Sequence, residues 1–178
     1  MRGCLRKMCV LLCTVALPAA VHGADAPERH VRAVDATMVA AIRDGEARSV
    51  LFRTLVAALD ESDVVVHISY HDALPPGVSA HVAFAGAGGG RRYLHVGILR
   101  TLEPDRQIAM LGHELFHALE IAGAPDVVDA ATLAQFYARI GYLVEGRGCT
   151  SYDSAPARDV GPFIERELRA RRPKHSTE

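Results

Sequence analysis

The sequence predicts an α+β domain in which a small antiparallel sheet packs against one central helix, with further helices at both ends. Three observations lead there. Segments rich in β-branched residues occupy the middle of the chain, and helical periodicity lies on either side of them. Between sheet and final helices, Gln107 to Ala122 repeats apolar residues at the spacing of one long helix.

Before the domain comes a lead with its own logic. Arg2, Arg6 and Lys7 precede an apolar run from Met8 to Val21, and small residues follow up to Gly23 and Ala24. A positive flank, a short apolar core and small residues before a cut read as a signal peptide over 1–23, cleaved near Gly23. The run is too short for a comfortable membrane span, and Leu11 and Leu12 argue against lipid attachment at Cys13. The expectation is an exported protein, periplasmic or secreted, with no stable membrane anchor. Cys4, Cys9 and Cys13 leave with the lead, so Cys149 has no internal disulfide partner. It reads as a small semi-buried residue before it reads as a thiol, a ligand or half of an intermolecular bridge. Without the lead, 17 basic residues face 21 acidic ones, a balance of about −4 that recruits no nucleic acid. The remaining chain is long enough for one domain, expected over 34–171, with a flexible segment at 24–33 and a disordered tail at 172–178.

Within the domain, Met38, Ala41 and Ile42 mark a helix from Asp35 to Ile42, and Leu51, Leu55, Val56 and Leu59 mark another from Arg48. Gly45 separates them. Val64 to Tyr70 reads as a strand closed by Pro75-Pro76-Gly77. His81 to Ala85 and Arg92 to Leu99 flank the glycines at 86–90 as a hairpin with a flexible tip. In the second of these strands Tyr93, His95 and Gly97 share one face, and Leu94, Val96 and Ile98 the other. After the central helix, Leu133, Phe136, Tyr137 and Ile140 give a helix over Asp129 to Ile140, stopped by Gly141. Tyr142 to Pro156 reads as a loop, and Phe163 to Ala170 as the last helix.

The central helix carries the chemistry. It contains His113-Glu114-Leu115-Phe116-His117, the pattern H-E-x-x-H. Histidines four apart on a helix lie one above the other, so both imidazoles reach a single metal ion. Glu114 lies to the side of that face, where a carboxylate takes a proton from water without being a ligand. Leu111, Leu115, Ala118 and Ala122 bury one side of the helix, Pro104 and Asp105 suit its first turn, and Gly112 allows a close approach. Buried helical context separates this motif from a chance match on a charged surface helix.

Motif and layout resemble the H-E-x-x-H metallopeptidases of the zincin clan, gluzincin-like in arrangement, and are similar to small exported bacterial proteins with a G-H-E-L-x-H-A-x-E core. The likeness covers about ten residues in motif, and roughly Val64 to Leu168 in layout. It implies a zincin-like fold, one Zn2+ per chain, and peptide-bond hydrolysis with Glu114 as general base. It also implies that the strand before the motif helix, here Arg92 to Leu99, runs along the cleft and binds an extended peptide or protein substrate.

A catalytic zinc takes three protein ligands. Glu120 continues the face of His113 and His117, but it sits about 10 Å along the axis from His113, which suits a residue that orients His117 rather than a ligand. The metzincin continuation is absent, because Ile121-Ala122-Gly123-Ala124 holds no third histidine. The resemblance to gluzincins then places the third ligand downstream, at Asp153 or Glu145, with Asp153 preferred; an aspartate in a loop departs from the gluzincin glutamate on a helix. Asp153 also suits a helix N-cap.

Oxyanion stabilisers are open among Tyr142, Tyr152 and His95. Two functional readings stand: a zinc metallopeptidase, or a catalytically inactive zincin-like zinc-binding protein that captures a peptide or protein partner. A third, metal capture by His67, His71, His81 and His95, is weakened because His67 and His71 lie about 13 Å apart along one strand.

Overall fold

The computed structural model describes residues 28–146 and 149–171, giving the backbone alone at 145, 146 and 149–151. The expected signal peptide and the tail at 172–178 lie outside the described residues, as do the side chains of Glu145 and Cys149. The elements are β1 (Val31–Ala33), α1 (Ala36–Arg48), α2 (Val50–Asp60), β2 (Val64–His71), β3 (Ala80–Gly88), β4 (Arg91–Leu99), α3 (Pro104–Ala122), α4 (Ala130–Ile140), β5 (Tyr142–Gly146), β6 (Cys149–Asp153), α5 (Ala155–Arg158) and α6 (Val160–Ala170). Among the described residues no helix is long and apolar enough to cross a membrane.

The arrangement is α+β, but its sheet is not antiparallel. The strand order is β1-β2-β4-β3, with β1, β2 and β4 parallel and only β3 antiparallel, paired with β4. From β2 the chain crosses to the far side of the sheet through residues 72–79, and β4 returns from a hairpin into the slot left between. Alternation shows which face a strand buries and says nothing of which strand lies beside it. The hairpin turns on Gly89 and Gly90, with φ of 61° and 75°, the left-handed backbone a two-residue turn needs. Gly86 to Gly88 extend β3 past a bulge at Phe84/Gly86 and are not part of a flexible tip.

The first strand is a second correction. Val31–Ala33, expected in a flexible lead, pairs with Val66 to Ile68 of β2. Gly45 also does not separate helices: α1 runs through it to Arg48, and the break falls at Ser49, whose hydroxyl caps α2 by accepting from the Phe52 N–H. A Cβ at Gly45 would stand 2.9 Å from atoms of Ile108 and Phe52, so glycine there lets α1 pack close.

Val64, Val66 and Ile68 of β2 and Leu94, Val96 and Ile98 of β4 join Leu111, Leu115 and Ala118 of α3 in the core. The helix is also fixed at both ends. Near its start, Asp105 accepts from Arg48 Nη2 at 2.7 Å. At its end and just beyond, the buried Arg92 of β4 donates to the carbonyls of Ile121, Ala122, Ala124 and Val127, and to both carboxylate oxygens of Asp63 at 2.7 Å. Gly112 meets α6: a Cβ there would lie 2.1 Å from Ile164 Cδ1. The close approach expected at Gly112 is that of a neighbouring helix.

Replacing Arg92 by leucine leaves Asp63 and four carbonyls short of their donor. A loss of about 3 kcal/mol in unfolding free energy is expected by urea titration.

Candidate metal centre

Helical spacing brings the Nε2 atoms of His113 and His117 to 3.2 Å from each other. Each ring is held through its other nitrogen. His113 Nδ1 donates to the Ala157 carbonyl of α5 at 2.9 Å, and His117 Nδ1 donates to Glu120 Oε2 at 2.8 Å. Both partners accept, so Nδ1 carries the proton and each Nε2 turns a lone pair toward the same point.

Asp153, the last residue of β6, completes the group. Its Oδ1 lies 3.6 Å from His113 Nε2 and 3.4 Å from His117 Nε2. A tetrahedral zinc with bonds of about 2.0–2.1 Å sets its ligand atoms about 3.3 Å apart, which these three separations match. The three side chains could hold a metal ion. Asp153 is not an N-cap: Ser154 caps α5, its hydroxyl accepting from the Ala157 N–H. Tyr142 donates to Asp153 Oδ2 at 2.8 Å, and the Ser154 N–H donates to Oδ1 at 2.7 Å, so the carboxylate is aimed from both sides.

The segment that supplies Asp153 was expected to be a loop. It is a two-stranded hairpin, with Tyr142 opposite Asp153. Leu143 and Val144 are both exposed, so no inside–outside alternation marked these strands in the sequence.

Glu120 is not in the ligand group. Its Oε2 accepts from His117 and from the Tyr137 hydroxyl at 3.2 Å, and its Oε1 accepts from Ser154 Oγ at 2.6 Å. Burial alone would raise its carboxyl, yet the hydrogen bonds from His117 and Ser154 hold it below the ordinary glutamate value. Burial likewise lowers His117, and the bond to Glu120 with the charges of Glu114 and Glu120 outweighs it, so His117 ends above the ordinary histidine value. His113, buried beside His117, is held below that value.

Glu114 is 4% exposed. Burial pushes its carboxyl up to about 7, against the pull of His117. A carboxyl near neutrality beside the ligand atoms suits a group that takes and returns protons.

The oxyanion candidates fare differently. His95 alternates on β4 with the core residues Leu94 and Val96, so it faces away from α3. Tyr142 is engaged with Asp153, and Tyr152 packs against the core. Sequence reasoning missed Tyr137 and Ser154 as supports of Glu120. Tyr137 was read only as part of an apolar face; Ser154 before Ala155-Pro156 carried a capping signal that points to a helix start there.

Comparison with protein-family models, curated proteins and solved structures gives no match.

Two outcomes follow. Glu120→Gln removes the charged partner of His117 Nδ1 and is expected to weaken zinc binding 10- to 100-fold in a competition titration with a chromophoric chelator. In the metal-free protein, Glu114 has a folded-state pKa raised from 4.5 to about 7. Its contribution is complete below pH 4.5 and is lost as pH rises through about 7. Metal-free Glu114→Gln should thus gain on the parent between pH 4.5 and 8, by up to about 3 kcal/mol in urea unfolding.

Proposed function

We propose that the protein is an exported zinc-dependent metallopeptidase of the zincin type, with His113, His117 and Asp153 holding the zinc and Glu114 as general base. The observation that carries this reading is the convergence of two imidazole nitrogens and one carboxylate oxygen at tetrahedral zinc spacing, beside a buried carboxyl near neutrality. Zinc at such a site supplies a Lewis acid that polarises a carbonyl and eases deprotonation of water. Glu114 accepts the proton from the attacking water and hands it to the leaving amine. Glu120 and Ala157 keep the imidazoles oriented, and Tyr142 keeps Asp153 turned toward them.

The expected substrate strand needs revision. Arg92 to Leu99, read as the cleft edge, is β4, and its backbone is paired on both sides by β2 and β3. The sheet edge on this side is β3. Its register against β4 leaves the outer row of N–H and C=O groups for an extended peptide, the geometry of strand addition.

That edge also supports the second reading, a zinc-bearing protein that captures a peptide without cleaving it. Glu114→Gln separates the two. A peptidase retains its zinc in this variant and loses at least about 100-fold in cleavage of a peptide library. Cleavage by the parent that is insensitive to chelator, or unchanged in the variant, would sink the peptidase reading, and undiminished peptide affinity with no cleavage by the parent would establish the binder.

A further inference from the structure

The face of the sheet turned away from α3 carries a second group of histidines. Strand alternation puts His71 of β2, His81 of β3 and His95 of β4 on that face, since their neighbours Ile68, Val82 and Leu94, Val96 pack with the core. Register draws them together: Gly97 of β4 pairs with Ser69 on one side and with His81 on the other. Ring centroids lie 5.4 Å apart for His71 and His81, 5.7 Å for His71 and His95, and 6.0 Å for His81 and His95. One nitrogen from each ring falls within 4.8 Å of the other two.

Two observations show that this is more than three histidines on a surface. Gly97 makes the space they share: a Cβ there would stand 2.3 Å from His81 Cε1 and 2.8 Å from both Cδ2 and Nε2 of His71. Any side chain at this position would force the rings apart. Second, His71 Nε2 is buried without a hydrogen-bond partner among the described residues. A buried imidazole nitrogen with no partner is costly, and coordination would satisfy it. His95 is meanwhile oriented by Ser69, whose hydroxyl lies 2.8 Å from its Nε2.

We propose that His71, His81 and His95 form a second metal site, for a first-row divalent transition-metal ion of the zinc type, on the opposite face of the sheet from α3. Three neutral imidazoles are the donor set such ions prefer, and hard ions such as calcium and magnesium do not. A tetrahedral ion would draw the three ligand nitrogens from within 4.8 Å of one another to about 3.3 Å. An ion there would link β2, β4 and the edge strand β3. His67 takes no part; it is exposed and stacks with Tyr93 at 6.2 Å. Four residues of strand rise separate His67 from His71 by about 13 Å, and the partners of His71 come instead from neighbouring strands.

This site does not depend on the one in α3, and zinc stoichiometry keeps them apart. Elemental analysis after zinc loading and gel filtration should find about two ions per chain in the parent and about one in His113→Ala/His117→Ala. Adding His81→Ala to that double variant should remove the last ion, whereas His81→Ala alone should leave the ion at α3. Long-range 1H–15N spectra of the unmutated chain read the same site without risk to folding: zinc should shift the ring nitrogens of His71, His81 and His95. A metal-free His113→Ala/His117→Ala protein, or an ion retained there after His81→Ala, overturns the proposal, as do ring signals of these three histidines that zinc leaves unmoved.

Discussion

The carboxylate of Glu120 is the junction on which the α3 site depends. It accepts from His117, Tyr137 and Ser154, and so joins the motif helix, the helix after it and the turn that follows Asp153. Three donors on one carboxylate account for its depressed pKa and fix the Nε2 of His117 as the free nitrogen. Ser154 reaches Glu120 with its side chain while its backbone N–H holds Asp153. Orientation of the histidine and delivery of the third candidate ligand are thus one arrangement.

Around that junction the charges are unbalanced. Glu114, Glu120 and Asp153 surround two histidines in a mostly buried space, and the neighbouring charge of Asp153 adds to burial in raising the cost of ionising Glu114. A bound cation would relieve this, since its charge is the largest a small site can hold. The same burial that makes Glu114 hard to ionise makes it a base of useful strength near neutral pH. Rigidity comes from elsewhere: Arg92 and Arg48 pin the ends of α3, and α6 packs onto Gly112 on the side away from solvent.

The sheet divides the molecule into two histidine-bearing faces. Period-two alternation sends Leu94, Val96 and Ile98 toward α3 and His95 and Gly97 away from it. Because β3 stands at the edge of the sheet while contributing His81 to the outer face, the edge strand is also one of the three that carry the outer histidines.

What the sequence by itself determined is what local pattern encodes. The helix from Pro104 to Ala122, the pairing of His113 with His117, the side position of Glu114 and the reach of Glu120 to His117 all follow from 3.6 residues per turn. The faces of β4 followed from alternation, whereas Asp153 stood in the sequence only as the preferred of two downstream candidates, beside Glu145. Only the tertiary structure decided the rest. The β5–β6 hairpin under Asp153, though local, carries no inside–outside alternation to mark it. The parallel pairing of β2 with β4 and the place of β3 at the edge depend on contacts between distant segments. So does the meeting of His71, His81 and His95, which lie on three strands and converge only because Gly97 leaves room. Periodicity reports one element and its own faces; a site assembled across strands is set by register, which no single segment contains.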